Sequence, residues 1–184
     1  MKPALILIDI QNDYFPGGKM ALEGSAEASL QAAKLLAAFR AKGMALVHVQ
    51  HVSNRPGATF FVPGTEGMNI HPDVAPRAGE SVIQKHFPNS FRGTPLQQQL
   101  HGLGVDHLVI AGMMTHMCVD ATTRAAFDLG FSCSLAHDAC ATRALAFGGQ
   151  NVAAAQVHAA FMAALAGLYA RVQSAAQIAT ELAI

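Results

Sequence analysis

Three residues of this chain carry side chains that could share one reaction: Asp9, Lys85 and Cys118. Cys118 lies six residues past Gly112, the glycine ending the apolar run "VIAG", where the pattern CVDATTRAAFDLG begins to read as a helix. A cysteine there can be a packed small hydrophobe, half of a disulfide, a metal ligand or a nucleophile. At a helix start, free N–H groups and the positive end of the dipole lower a thiol pKa, which favours the last reading. Asp9 follows aliphatic residues in a strand-like run, and a carboxylate buried there is costly without a partner. Lys85 ends another such run. Alone it reads as a solvated surface lysine, but beside Asp9 it would keep the carboxylate ionised and oriented.

The elements around these residues decide whether they can meet. "ALILIDI", residues 4–10, is a continuous apolar run of the kind expected for a strand covered on both faces. Residues 25–43 repeat apolar positions near helical spacing and stop at Gly43. Further strands are predicted over residues 44–52, 80–85, 105–112 and 131–140. Further helices are predicted over 94–104, with Thr94 as cap and Pro95 in the first turn, over 118–130, and over 151–172, followed by a last short strand or helix. Strands alternating with helices imply an α/β fold: a doubly wound, Rossmann-like three-layer sandwich with a central parallel sheet flanked by helices. Residues 1–184 read as one domain, and residues 53–79 form the one long irregular stretch, as expected of a lid or binding loop. Ligands of such sheets bind beyond the carboxyl ends of the strands. Asp9, Lys85 and Cys118 all fall near such ends.

Composition removes several function classes. Half the chain is hydrophobic (52%) and 13% charged, too apolar for disorder. Twelve basic residues balance twelve acidic ones, with no run of like charge, so neither a nucleic acid nor a membrane surface is the expected partner. The N-terminal apolar run is too short for a signal or a spanning helix, and a cytoplasmic location is expected. Three cysteines without a secretory signal argue against a disulfide framework. Cys133 and Cys140 lack the setting of Cys118 and read as core or loop residues.

Three segments, "LILIDIQNDYF", "VIQKHFPNSFRGTPL" and "VIAGMMTHMCVDATTRAAFDLGF", resemble in matching order the isochorismatase-like cysteine hydrolases. This superfamily includes nicotinamidases, N-carbamoylsarcosine amidohydrolases and isochorismatases. The resemblance implies a catalytic triad of Asp9, Lys85 and Cys118, a non-proline cis peptide between Met113 and Met114, and an oxyanion hole formed by the backbone N–H groups of Met114 and Cys118. It implies hydrolysis of a small-molecule amide with no cofactor, and a homo-oligomer, for which the alanine-rich residues 152–168 offer a close-packing helix face.

Nine histidines invite a rival base or a metal site. His86, His116 and His137 are the rival partners for Cys118, but Asp9 and Lys85 already supply a base and its orienting partner. Zinc-binding nicotinamidases carry an Asp-x-His and further histidines after the second strand. Here His48, His51 and His71 are present, the Asp and one His are not, and strand-spaced His48 and His51 face opposite ways, so no metal is expected. Tyr14, Phe15, Phe60, Phe61 and Phe91 fall in loops that would rim the cleft, and His116, two residues before the cysteine, is a further substrate-binding candidate. Arg55 and Arg92 could each bind a carboxylate or be solvated. Three functions follow: a cysteine amidohydrolase, an isochorismatase-type vinyl-ether hydrolase using Asp9 as acid without the cysteine, and a non-catalytic member of the fold.

Overall fold

Side chains of the first strand, β1 (Pro3–Ile8), point alternately to two apolar layers: Ala4, Ile6 and Ile8 into one and Leu5 and Leu7 into the other, all buried. That is the behaviour of a strand with helices on both sides. The protein was analysed as a computed structural model, which describes residues 1–182. Helix α1 (Ser25–Ala41) covers the Leu5 and Leu7 face with Ala28, Ala32, Leu35, Leu36 and Phe39. The chain continues through β2 (Ala45–His51), β3 (Ser81–Lys85), α2 (Leu96–Gly102), β4 (His107–Met113), α3 (Asp120–Asp128) and β5 (Ser132–Ala141). It ends with β6 (Leu145–Phe147), β7 (Gln150–Val152), α4 (Ala154–Ala166), β8 (Arg171–Gln173) and α5 (Ala175–Leu182). Helices α2, α3 and α4 contribute Leu96, Leu100, Ala126, Met162 and Leu165 to the layer on the Ile6 face, while Ile178 of α5 joins α1 on the other.

Six strands form one sheet in the order β3-β2-β1-β4-β5-β8, and every neighbouring pair is parallel. The result is the expected three-layer α/β sandwich. Chain order reverses between β1 and β4, so the crevice beyond their carboxyl ends is the switch point at which such sheets bind ligands. The expected helix over residues 151–172 is shorter. Gly148 and Gly149, both at positive φ, turn a small antiparallel hairpin of β6 and β7, and residues 171–173 form the edge strand β8 beside β5. Alanine-rich composition raised helix propensity at Asn151 and Val152, but the diglycine turn pairs them with Ala146 and Leu145 instead. Among the described residues no helix is long and apolar enough to cross a membrane.

One glycine is required by the contact of the two central strands. Gly112 lies opposite Ile8 in the β1–β4 register at φ 140°, and a Cβ there would stand 2.1 Å from the Ile8 carbonyl oxygen. Backbone cannot move aside as a side-chain end can. Gly112→Ala is therefore expected to cost more than about 4 kcal/mol, read as a large fall in the urea midpoint, whereas Gly148→Ala in the exposed hairpin turn has open space and costs far less.

Candidate active site

β1 stops at Ile8, and the next residue takes an unusual backbone: Asp9 has φ 51°, with its N–H donated to Val49 O of β2 (3.0 Å) and its carbonyl accepting from Gln11 N (3.0 Å). This turn aims the carboxylate into the switch-point crevice. The residues after it brace the neighbouring loops. Gln11, fully buried, donates to His51 O (2.9 Å) and Met68 O (2.7 Å) and accepts from His51 N (2.7 Å). Asn12 donates to Glu66 O, and Asp13 accepts from the backbone of Lys19 and Phe61. The side chains of Gln11, Asn12 and Asp13 are thus each satisfied by a loop they order.

Lys85, the last residue of β3, is 1% exposed, and its ammonium reaches three acceptors: Asp9 Oδ2 at 2.7 Å, His51 Nδ1 at 3.0 Å and Cys118 Sγ at 3.2 Å. An ammonium has three protons and no lone pair, so all of its donors are used. Burial by itself would depress the Lys85 pKa, but the Asp9 carboxylate and the Cys118 sulfur outweigh it and the pKa is raised. Asp9 is fully buried, and its second oxygen, Oδ1, has no hydrogen-bond partner.

The cysteine is not at the start of an α-helix. Cys118 lies within a π-helical turn, Thr115–Val119, that runs directly into α3, whose first N–H, of Asp120, is bonded back to Thr115 O and Met117 O. Burial, and then the negative charge of Asp9, push its thiol well above the ordinary range, with Lys85 opposing. The expectation of a thiol depressed by a helix N-terminus is therefore corrected: desolvation wins, and the resting group is the thiol. The turn is held from outside, where Thr115 Oγ1 donates to Ala141 O and pairs with His158 Nδ1, and His116 Nδ1 pairs with Thr142 Oγ1 at 2.5 Å. The Met113–Met114 peptide bond at the end of β4 is cis.

A cavity of about 310 Å³ opens over this cluster. It is lined by Cys118, Met114 and His51, by Tyr14, Phe60, His86 and Met117, and by residues 53–59. That loop is closed at its neck by a bond from Ser53 N to Phe61 O (2.9 Å). A larger cavity, about 660 Å³, lies at the amino ends of β4 and β5, where both ring nitrogens of His107 are taken by the hydroxyls of Ser132 and Ser134. Of the two, the smaller one is lined by Cys118 and His51, the members of the cluster that face open space.

Of the substrate-binding candidates, Tyr14 and Phe60 line the cavity, the Tyr14 phenol pKa being raised first by burial and then by Cys118 and Asp9. The other four do not. Phe61 is fully buried behind Tyr14 and Phe60, and Phe15 stacks on His71 with ring centroids 3.6 Å apart. Phe91 packs beside Phe131 in the Ile6-side layer, and His116 is turned toward Thr142 and Phe161. Apolar rings in these loops are drawn to the core rather than to the ligand space. Arg55 lines the cavity, while Arg92 sits over the Phe87 ring.

The three histidines considered for a metal are apart: His48 meets Glu80, His71 meets Phe15, and His51 meets Lys85. Ligand atoms of Asp9, His51 and Cys118 do lie within 4.8 Å of one another, a spacing a metal ion could bridge. Lys85 Nζ touches all three groups, so any cation there would compete with an ammonium already placed. Of the proposed rival bases, His86 lines the cavity but its Nδ1 donates to Val52 O (2.8 Å). The sequence raised His51 only in the question of a metal and missed its contact with Lys85. Its signal was register: it lies opposite Lys85 in the β2–β3 pair.

The sequence profile of the isochorismatase domain matches residues 3–177. The chain belongs to the isochorismatase family. Similar members include the isochorismatase family protein YddQ of Bacillus subtilis, 52% identical over 174 residues that cover 95% of this chain and 97% of that protein. A solved isochorismatase-type structure from Oleispira antarctica superposes with a TM-score of 0.93 at 53% identity, covering 97% of this chain and 96% of that one. The maleamate amidohydrolase of Pseudomonas putida is 35% identical over 144 residues, 71% of this chain and 68% of that enzyme. With hydrolases among its similar relatives, this isochorismatase-family chain is itself a hydrolase.

The opposing influences on the Cys118 thiol give a signed prediction. Removing the Asp9 charge (Asp9→Asn) lowers the midpoint of the pH profile for Cys118 alkylation by iodoacetamide, and removing the Lys85 charge (Lys85→Met) raises it, both read by mass spectrometry of the Cys118 peptide. Equal midpoints in the two variants would contradict the charge assignment.

Proposed function

We propose that the protein hydrolyses a small-molecule amide through a thioester on Cys118, with Asp9 as general base and acid and Lys85 as the cation that orients both. The observation that carries this reading is the buried contact of one ammonium with Asp9 Oδ2 and Cys118 Sγ, which leaves Asp9 Oδ1 as an acceptor with no partner. An unpaired buried carboxylate oxygen beside a thiol is suited to take its proton.

In the reading proposed, the thiol proton moves to Asp9 as sulfur attacks the amide carbonyl carbon. The carbonyl oxygen takes the negative charge and is held by the N–H groups of Met114 and Cys118. Asp9 returns its proton to the departing nitrogen, the C–N bond breaks, and the thioester remains. A water then gives a proton to Asp9 and attacks the thioester carbon; collapse releases the carboxylic acid, and sulfur regains the proton. Because the resting group is a thiol, attack and deprotonation are coupled, and Asp9 is required even though the sulfur is the nucleophile. Lys85 keeps its charge throughout. The cavity of about 310 Å³ supports a small substrate, at the lower end of the range for ligand sites.

The test is release of ammonia or amine from a panel of small amides, including maleamate, nicotinamide, N-carbamoyl compounds and ureido acids, by wild type, Cys118→Ala and Asp9→Asn. Both variants are expected to lose about four orders of magnitude in kcat, measured on the folded fraction because Asp9→Asn leaves the Lys85 ammonium without its carboxylate. Amide turnover retained by Cys118→Ala overturns the thioester. Inert amides together with isochorismate cleavage by wild type and Cys118→Ala would instead make Asp9 the acid of a vinyl-ether hydrolase.

A further inference from the structure

His51 is held on both sides. Its backbone is clamped by Gln11 on N–H and carbonyl alike, and its ring packs 6.0 Å from Phe61, centroid to centroid. Its Nδ1 lies 3.0 Å from Lys85 Nζ. An ammonium can only donate, so Nδ1 must accept, and a neutral ring so placed carries its proton on Nε2. Burial first, and Lys85 next, lower the ring pKa to about 4, which keeps it neutral at physiological pH. Nε2 has no hydrogen-bond partner among the described residues, yet it is not one of the buried side-chain atoms left unsatisfied. It therefore opens onto the cavity whose wall His51 forms together with Cys118.

We infer that His51 is a substrate-selecting residue: its Nε2–H is a fixed hydrogen-bond donor beside the nucleophile, and it selects small amides that carry a second acceptor oxygen, from a carbonyl or carboxylate, next to the scissile group. The inference rests on the reading of Cys118 as nucleophile and deepens it. A donor that cannot become an acceptor discriminates strongly. A ligand with an oxygen at that point replaces the water on Nε2, whereas a plain alkyl amide displaces the water and leaves the donor unpaired. Lys85 thus has a second task. It fixes the tautomer of the group that reads the substrate while it orients Asp9 and Cys118.

Two measurements test this without requiring turnover. In the wild-type protein, long-range ¹H–¹⁵N spectra of the histidine rings should show His51 as the Nε2–H tautomer; an Nδ1–H tautomer overturns the inference. The second compares alkylation of Cys118 by iodoacetamide, which carries an acceptor oxygen, and by 1-iodopropane, which does not, each rate divided by that for glutathione. Taking the ratio of the two probes within one variant cancels changes in thiol ionisation. Wild type should favour iodoacetamide, His51→Leu should lose about tenfold of that preference, and His51→Gln, which keeps an acceptor for Lys85 and a donor for the cavity, should restore most of it. Should His51→Leu not fold, His51→Phe takes its place. A ratio unchanged in the apolar variant overturns the role of His51 alone, while failure of iodoacetamide to modify Cys118 in wild type overturns the nucleophile as well.

Discussion

A single buried ammonium organises this site. Lys85 is surrounded by a carboxylate, an imidazole nitrogen and a sulfur, each delivered by a different strand end or turn. Taking a lysine out of water is expensive, and a carboxylate left buried without its cation is equally so. Neither group is tolerable without the other, so β1, β2, β3 and the turn after β4 must arrive together for any of them to be stable. The charge pair therefore acts as a specification of the fold as well as of the chemistry, and the register that brings His51 opposite Lys85 is part of it.

The parallel sheet makes this convergence possible. Because every strand runs the same way, every carboxyl end opens on one side, and the change of direction between β1 and β4 leaves room there. Gly112 lets the two central strands approach without a side chain between them. Beyond β1, Gln11, Asn12 and Asp13 convert that geometry into ordered loops, each side chain holding backbone groups from residues 51 to 68. The segment that supplies the buried carboxylate is thus also the one that orders the loops around it.

Strand and helix alternation, the parallel sheet and the meeting of Asp9, Lys85 and Cys118 were legible from sequence, because they rest on local periodicity and on residues whose chemistry is costly to bury. What escaped had tertiary causes. The thiol of Cys118 is raised rather than lowered, since its ionisation depends on desolvation and on Asp9, neither of which the CVDATTRAAF pattern encodes. Phe15, Phe61 and Phe91 share the composition of a ligand wall but fill loop cores, and nothing in an aromatic side chain says which it will do. His51 looked like one more strand histidine until β2 and β3 were set in register. The extent of the last long helix was misjudged for a simpler reason: two glycines outweigh the helix preference of neighbouring alanines.

The neck between Ser53 and Phe61 separates two mechanically distinct parts of the chain. Inside it, residues 54–60 cover the cavity and form no part of the sheet; outside it, Asp13 and Gln11 fasten the flanks. Lengthening a loop whose ends are already pinned adds little closure entropy, of order 0.6 kcal/mol per doubling. The roof of the chamber can therefore change in length, and with it the space enclosed, while the contacts of Lys85 with Asp9 and Cys118 beneath it stay as they are.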